Sequence, residues 1–210
     1  DRSENFVATT QERDQIHWAE MALDAHGHIL AVRDKILHDA GAYAPYGLPV
    51  PLNSQCTLLG CYQIPAYRSE FTSVFTNKTI VTPFRGAGRQ HGVFVMERLL
   101  DIAAKELSID RTEIRRRNFI QPDQFPYDNE VIFQDFAPLT YDSGDYAPSL
   151  DKAMELIGYE EFFEKTKPEA RQGSRCRATA VSAWPPASVR KDRDISPLLP
   201  RSWPINWVWP

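Results

Sequence analysis

The residues with the strongest chemical character lie at 83–92, PFRGAGRQHG. Gly86 and Gly88 flank Ala87, and residues this small let a ligand approach the backbone closely. A helical pattern follows at once. Its start, at about residues 90–92, is expected to turn unbonded N–H groups and the positive end of the helix dipole toward the same turn. Arg85 and Arg89 add two positive charges. Such an arrangement suits an anion or a phosphate. It is not a nucleotide signature: His91 stands where GxGxxG needs its third glycine, and no GxxxxGK[ST] string occurs. An ordinary loop running into a helix has the same composition, so the residues alone leave both readings open.

Other chemically able residues read as structural. His17, His26, His28, His38 and His91 are scattered. His26 and His28 flank Gly27 in a turn, and two ligands do not make a metal site. His91 adjoins the glycine loop and reads as a surface residue at a helix start. Cys56, Cys61 and Cys176 are odd in number and form no CxxC pair, which argues against zinc and against a disulfide framework. They read as small buried or incidental residues, in a reducing cytoplasm. Arg115, Arg116 and Arg117 read as a solvated helix face. Glu97 and Glu113 fall on helix surfaces by spacing. Tyr127, Phe133 and Phe136 read as anchors of a long loop.

The elements that must position the glycine loop follow from periodicity. QIHWAEMAL at 15–23 and the run from Ile29 flank a Gly27 turn, which predicts a β-hairpin. YAPYGLPVPLN is punctuated by Pro and Gly and predicts a loop or irregular crossing. SQCTLLGCYQIPAY is apolar and short, and helix and strand stay open. SEFTSVFTNKTIV predicts strand, turn at Asn77-Lys78, strand. VFVMERLLDIAAKELSI carries the clearest helical stripe: Val93, Met96, Leu99, Leu100, Ala103, Ala104 and Leu107. Asp110 opens a second helix, with Glu113 three residues on in a capping-box spacing. Residues 125–148 predict a loop. Ser149 is the expected N-cap of a last amphipathic helix, with Leu150, Met154, Leu156 and Ile157 on its apolar side, Gly158 as its C-cap and EEFFEKTK adding a turn or two. Strands first and helices after them suggest an α+β fold rather than repeated βαβ units.

Composition sets outer bounds. The chain has 210 residues and a net charge of −4, without the basic footprint of a nucleic-acid binder. No apolar run is long enough to span a membrane. The first residues lack a signal-peptide layout and an initiator Met, so the chain is expected to begin inside a longer one. Residues 168–210 differ in kind from the rest. They hold 7 of the 16 prolines, 4 of the 5 tryptophans, and 7 Lys/Arg against 3 Asp/Glu. They show no helical or alternating period. This divides the chain into a body, 1–167, and a Pro/Trp/Arg-rich tail, 168–210. The tail reads as a recognition segment, a packed extension, or a stretch such as an out-of-frame end that selection did not shape; disordered or out-of-family sequence is the favoured expectation.

Several stretches, in order and together covering about residues 1–166, resemble the large, molybdenum-cofactor-binding subunit of the molybdenum hydroxylases. They are DRSENFVATTQERDQ, ILHDAGAY, FTNKTIVTPFRGAGRQHGVFVMERLLDIAAKELSIDRTEIRRRNFI, QPDQFPY and YDSGDYAPSLDKAMELIGY. The superfamily comprises xanthine dehydrogenase, aldehyde oxidase and aerobic carbon monoxide dehydrogenase.

The resemblance implies a partial molybdopterin-binding domain in which Phe84, Arg85, Gly86 and Ala87 face the cofactor. It implies molybdenum held by the dithiolene of molybdopterin, in the cytosine dinucleotide form, so that no His or Cys metal ligand is expected. It also implies [2Fe–2S] and FAD on partner subunits or domains, and oxidative hydroxylation of a small organic substrate. Purine hydroxylases carry an aromatic residue where Ala87 stands, and aerobic carbon monoxide dehydrogenases carry a copper-holding cysteine in a loop that has none here. An aldehyde, an N-heterocycle or another small molecule is the implied substrate. The family's glutamate base, its GGGFG segment and its QGxGQ segment match nothing in the 210 residues. The expectation is a fragment with no catalytic residue of its own, inactive alone. The alternative is a non-catalytic interaction module using the Pro/Trp tail.

Overall fold

The computed structural model describes residues 1–166, apart from 13, 44, 45 and 47, and residues 205–208. A short helix α1 (Arg2–Ala8) precedes the hairpin β1 (Gln15–Leu23) and β2 (Ile29–Asp39). Then come α2 (Pro49–Leu58), β3 (Tyr67–Val74), α3 (Arg89–Leu107) and α4 (Arg111–Asn118). A small hairpin, β4 (Tyr127–Ile132) and β5 (Pro138–Tyr141), leads to α5 (Ala147–Ile157) and α6 (Tyr159–Thr166). The mixed strands and helices bear out the α+β expectation.

The main sheet has the order β3-β2-β1-β6, where β6 (Ile205–Val208) pairs antiparallel with β1. Apart from this strand, the tail lies outside the described residues. The hairpin forms as the alternation predicts, with His17 opposite Ile36 and Ala19 opposite Asp34. Its turn is fixed by the Asp24 carboxylate, which accepts from the His26 and His28 amides at 2.8 and 2.9 Å. β3 adds parallel to β2 through α2, a single crossover that is not repeated. α3 lies against this sheet and α2. Leu23, Val32, Leu58, Met96, Leu100 and Ile114 are almost fully buried between them. At about 25 cal/mol per Å² of apolar surface, such burial is the main force holding the helices to the sheet.

Four expectations are corrected. Residues 49–53 are not loop: α2 starts at Pro49 and carries Pro51 in its first turn, where proline costs no intrahelical hydrogen bond. The second strand after Asn77-Lys78 does not form. Lys78 pairs with Asp14 and Asp39, and Thr76 donates to Asp39, so the chain turns there and only Val81 makes a bridge, parallel to Gln11. Residues 125–148 include the β4–β5 hairpin; a register shift between Asp128 and Ile132, with Glu130 at φ 56°, breaks the alternation that would have revealed it. Finally, α5 starts at Ala147 with Tyr146 as N-cap, because Pro148 fits inside the first turn.

Helix faces also need adjustment. α3 buries Gly92, Val95, Met96, Leu99, Leu100 and Ala103, whereas Val93 is 48% exposed. The inward position belongs to the glycine, because a Cβ there would stand 2.5 Å from the Ser54 carbonyl oxygen. Leu150 packs on the core, but Leu156 and Ile157 are exposed. Gly158 caps α5 in the left-handed region, as expected. Among the described residues no helix is long and apolar enough to cross a membrane.

Candidate functional site

The glycine loop folds into a projecting turn at the head of α3. The Ala87 amide donates to the Phe84 carbonyl at 2.7 Å, closing a four-residue turn with Gly86 at φ 106° in its third position. The left-handed course then continues through Ala87 (φ 50°) and Gly88 (φ 98°). Holding alanine in this region costs about 1 kcal/mol, so the surroundings must enforce it. Phe84, Arg85 and Gly86 are exposed, Ala87 is half-buried and Gly88 is buried.

Three segments hold the turn. On its N-terminal side Gln11 accepts from the Thr82 amide at 3.0 Å and donates to the Ile80 carbonyl at 2.9 Å. Behind it stands α2. Asn53 Nδ2 donates to the Ala87 carbonyl at 2.9 Å, and Ser54 Oγ lies 3.0 Å from the Gly88 carbonyl oxygen. Beneath it lies Gln90, whose amide nitrogen is 3.3 Å from Glu12 Oε2 and whose Oε1 would meet a Cβ on Gly86 at 2.3 Å.

Ser54 connects the turn to a buried polar group inside the sheet. Its hydroxyl lies 3.0 Å from Gln15 Oε1. Gln15 Oε1 is 3.0 Å from His17 Nε2, and His17 Nδ1 is 2.8 Å from Asp34 Oδ2. Gln15 Nε2 is 3.3 Å from His38 Nδ1. None of these residues is more than 5% exposed. Residue type gave no hint of this cluster, because its members are separated by 2 to 39 positions. In retrospect one signal existed: polar residues at Gln15, His17, Asp34 and His38 stand at inward positions of two strands that otherwise bury mostly apolar side chains.

The structure changes the roles of several predicted residues. Gly88 is small because of its own chain, not a ligand: a Cβ there would stand 2.0 Å from the Val50 carbonyl oxygen. The helix begins at Arg89, and the Arg89 and His91 amides already donate to Gly86 and Gly88 carbonyls at 3.0 and 3.1 Å. The open helix end is therefore narrower than the pattern suggests. Arg89 is drawn to the β4–β5 hairpin, its guanidinium 5.7 Å from the Phe133 ring centre. Arg85 remains on the exposed corner. Phe133 and Tyr127 are half-buried as anchors, whereas Phe136 is 84% exposed.

Outside the turn, Arg115 is not a solvated residue. It is 15% exposed and donates to Glu97, Asp101 and the Arg111 carbonyl, fastening α4 to α3. Arg116 and Arg117 make more exposed pairs with Asp151 and Glu113. Burial pushes the Cys56 thiol up against the nearby Arg89 charge. Burial and then the Glu97 charge push Cys61 up to about 11. Both are protonated at neutral pH and inert as nucleophiles. Among the described residues no group of three His, Cys, Asp or Glu side chains is placed to hold a metal ion.

The family model for the molybdopterin cofactor-binding domain matches residues 1–119, which include the turn and everything that holds it. This chain belongs to that family. Likeness to individual proteins extends further along the chain. The gamma subunit of the 6-hydroxypseudooxynicotine dehydrogenase complex of Paenarthrobacter nicotinovorans is 36% identical over 172 residues, covering 80% of this chain and 21% of that protein. The large chain of carbon monoxide dehydrogenase from Hydrogenophaga pseudoflava is 34% identical over 165 residues, covering 76% and 20%. Among solved structures, quinoline 2-oxidoreductase from Pseudomonas putida 86 superposes with a TM-score of 0.71 at 31% identity, over 82% of this chain and 22% of that one. The chain thus spans about a fifth of the length of these relatives.

The residues present fit a molybdopterin group. One buried amide oxygen beside the turn, Gln90 Oε1, has no hydrogen-bond partner. Buried acceptors of this kind are normally satisfied, and the N–H-rich edge of a pterin supplies suitable donors.

Proposed function

We propose that the turn at Phe84, Arg85, Gly86 and Ala87 is the contribution of this chain to the cofactor site of a molybdenum hydroxylase large subunit. The observation that carries the reading is the run of left-handed residues at the head of α3, exposed at Phe84–Gly86 and fixed from behind by α2 and by Gln11. Arg85 supplies a permanent positive charge for anionic oxygens of the group. The peptide groups of residues 85–87 supply fixed dipoles. Phe84 supplies an apolar ring at the edge, 65% exposed in this chain. None of these groups takes or gives a proton, so their work is binding and orientation. When bound, the molybdenum–molybdopterin group supplies the oxidative hydroxylation chemistry.

The cytosine dinucleotide form of the cofactor, [2Fe–2S] and FAD subunits as partners, and a cytoplasmic setting complete the reading. A small N-heterocycle or aldehyde is the favoured substrate class. Ala87 leaves room where a stacking aromatic would close the turn, and relatives named for quinoline and 6-hydroxypseudooxynicotine support that class. Residues 1–167 act as the cofactor-facing body.

The test is anaerobic titration of the full chain with molybdopterin released from a holoenzyme, followed by pterin fluorescence. Saturable binding that weakens at least tenfold in Arg85→Ala, with an unchanged melting temperature, supports the assignment. Equal affinity in both proteins sinks it.

A further inference from the structure

Adjacent carbonyls of the turn are held by adjacent side chains of α2. Asn53 takes Ala87 and Ser54 takes Gly88, at 2.9 and 3.0 Å. Both side chains are essentially inaccessible, at 1% and 0% exposure. Ser54 is itself addressed by Gln15, which sits on β1 between His17 and His38. The Ser54 hydroxyl carries one proton and faces three acceptors, Gln15 Oε1, Val50 O and Gly88 O. The arrangement of the Gln15 amide therefore decides how much of that proton is left for Gly88.

We propose that Asn53, Ser54 and Gln15 are positioning residues. Together they form a carbonyl clamp that keeps Ala87 and Gly88 left-handed and so sets how the Phe84–Ala87 turn is presented to the cofactor. The clamp rests on the cofactor reading for its purpose, but its physical action belongs to this chain alone. The strain at Ala87 is what it works against. Without a donor on the Ala87 carbonyl, the peptide that follows is released to rotate, and a non-glycine residue leaves the left-handed region readily. Neither side chain touches the exposed corner, so neither is a catalytic residue. The sheet end of the clamp is anchored by Asp34 through His17, a contact between two buried groups that ties β2 to β1.

The experiment uses the isotope-labelled full chain without cofactor. It reads amide exchange over residues 84–91 and the Ala87 amide and Cβ shifts, which report its backbone angle. Asn53→Asp removes the donor and keeps the shape; Ser54→Ala removes the hydroxyl; Gln15→Glu keeps an acceptor toward Ser54. The expected result is at least tenfold faster exchange at 84–91 in Asn53→Asp and Ser54→Ala. The Ala87 shifts should move toward right-handed values, while α3 from Leu99 to Ala104 keeps its protection within twofold. Gln15→Glu is expected to stay within threefold of the parent at 84–91, and Gln15→Met, which removes a competing acceptor and leaves the Ser54 proton to Gly88, to exchange no faster than the parent. Unchanged Ala87 shifts in the first two variants overturn the clamp, as does a uniform loss of protection across sheet and helices. Because no cofactor is present, these outcomes are independent of the Arg85 titration: either result stands if the other fails.

Discussion

Gly88 and Val50 approach so closely that a methyl on the glycine would stand 2.0 Å from the valine carbonyl oxygen. One helical turn later Gly92 repeats the arrangement against the Ser54 carbonyl oxygen at 2.5 Å. α2 and α3 are thus packed backbone against backbone, and any side chain at either glycine forces the helices apart. Gly88→Ala is expected to destabilise the chain by about 3 kcal/mol or more, as both clash and positive φ act together. Gly158→Ala, with nothing within 4 Å of its Cβ, is expected to cost only about 1 kcal/mol. Urea unfolding of the two variants distinguishes them; equal losses would show that backbone angle alone matters.

Asp39 gives the stability a pH dependence. Burial works to raise its pKa, but hydrogen bonds from Thr76, Gly41 and Lys78, with the Lys78 charge, outweigh it and lower the carboxyl below its ordinary value. A group lowered in the folded state stabilises above its unfolded pKa, and this contribution disappears as pH falls through the folded one. Stability is expected to drop below about pH 4, and Asp39→Asn should flatten that limb while costing about 1–3 kcal/mol at pH 7. Lys78 is 57% exposed, so Lys78→Met should cost under about 1 kcal/mol. Denaturant midpoints between pH 3 and 7 provide the check.

Of the three consecutive arginines, only Arg115 is tightly enclosed. Arg115→Met removes the guanidinium donor from Glu97, Asp101 and the Arg111 carbonyl, though Glu97 keeps the Tyr62 hydroxyl, and should cost about 2 kcal/mol, reduced from fully buried values because both carboxylates are partly solvated. Arg117→Ala removes an exposed i, i+4 pair with Glu113 and a hydrogen bond to the His26 carbonyl, and should cost about 1 kcal/mol or less. Thermal melts of both variants decide the matter, and equal shifts would contradict the enclosed role of Arg115.

Cys56 and Cys61 should resist alkylation in the native chain. With Cys61 pushed up to about 11 and its thiol half-buried, iodoacetamide at pH 7.5 is expected to label it more than tenfold more slowly than in urea. Peptide mapping of a timed reaction reads this directly.

The hairpin, the long helix and the caps at Asp110 and Gly158 were legible because they rest on local rules. Leu23 and Ile29 sit on either side of Gly27, Asp110 precedes Arg111, and Gly158 ends α5, each within a few residues of its partner. The glycine loop was legible as a special turn, and its likeness to molybdenum hydroxylases pointed to the same residues. What holds it was not legible. Gln15, Asn53 and Ser54 are ordinary polar residues until the fold brings them within hydrogen-bond reach of one another and of residue 88. The reason for Gly88 and Gly92 was hidden for the same cause: a glycine tells that something is close, not what. α2 was masked by prolines whose harm depends on position in the helix.

The supports of the turn come from residues 11–15, 50–57 and 90, so one end of the site is about seventy residues away from the other along the chain. During synthesis the hairpin and α2 leave the ribosome well before α3, yet neither can shape residues 84–88 until α3 docks. The glycine turn is thus among the last parts of this region to take its final form. Any ligand that uses this turn must wait for near-complete tertiary closure, and a chain stalled before α3 docks has its hydrophobic face open to aggregation.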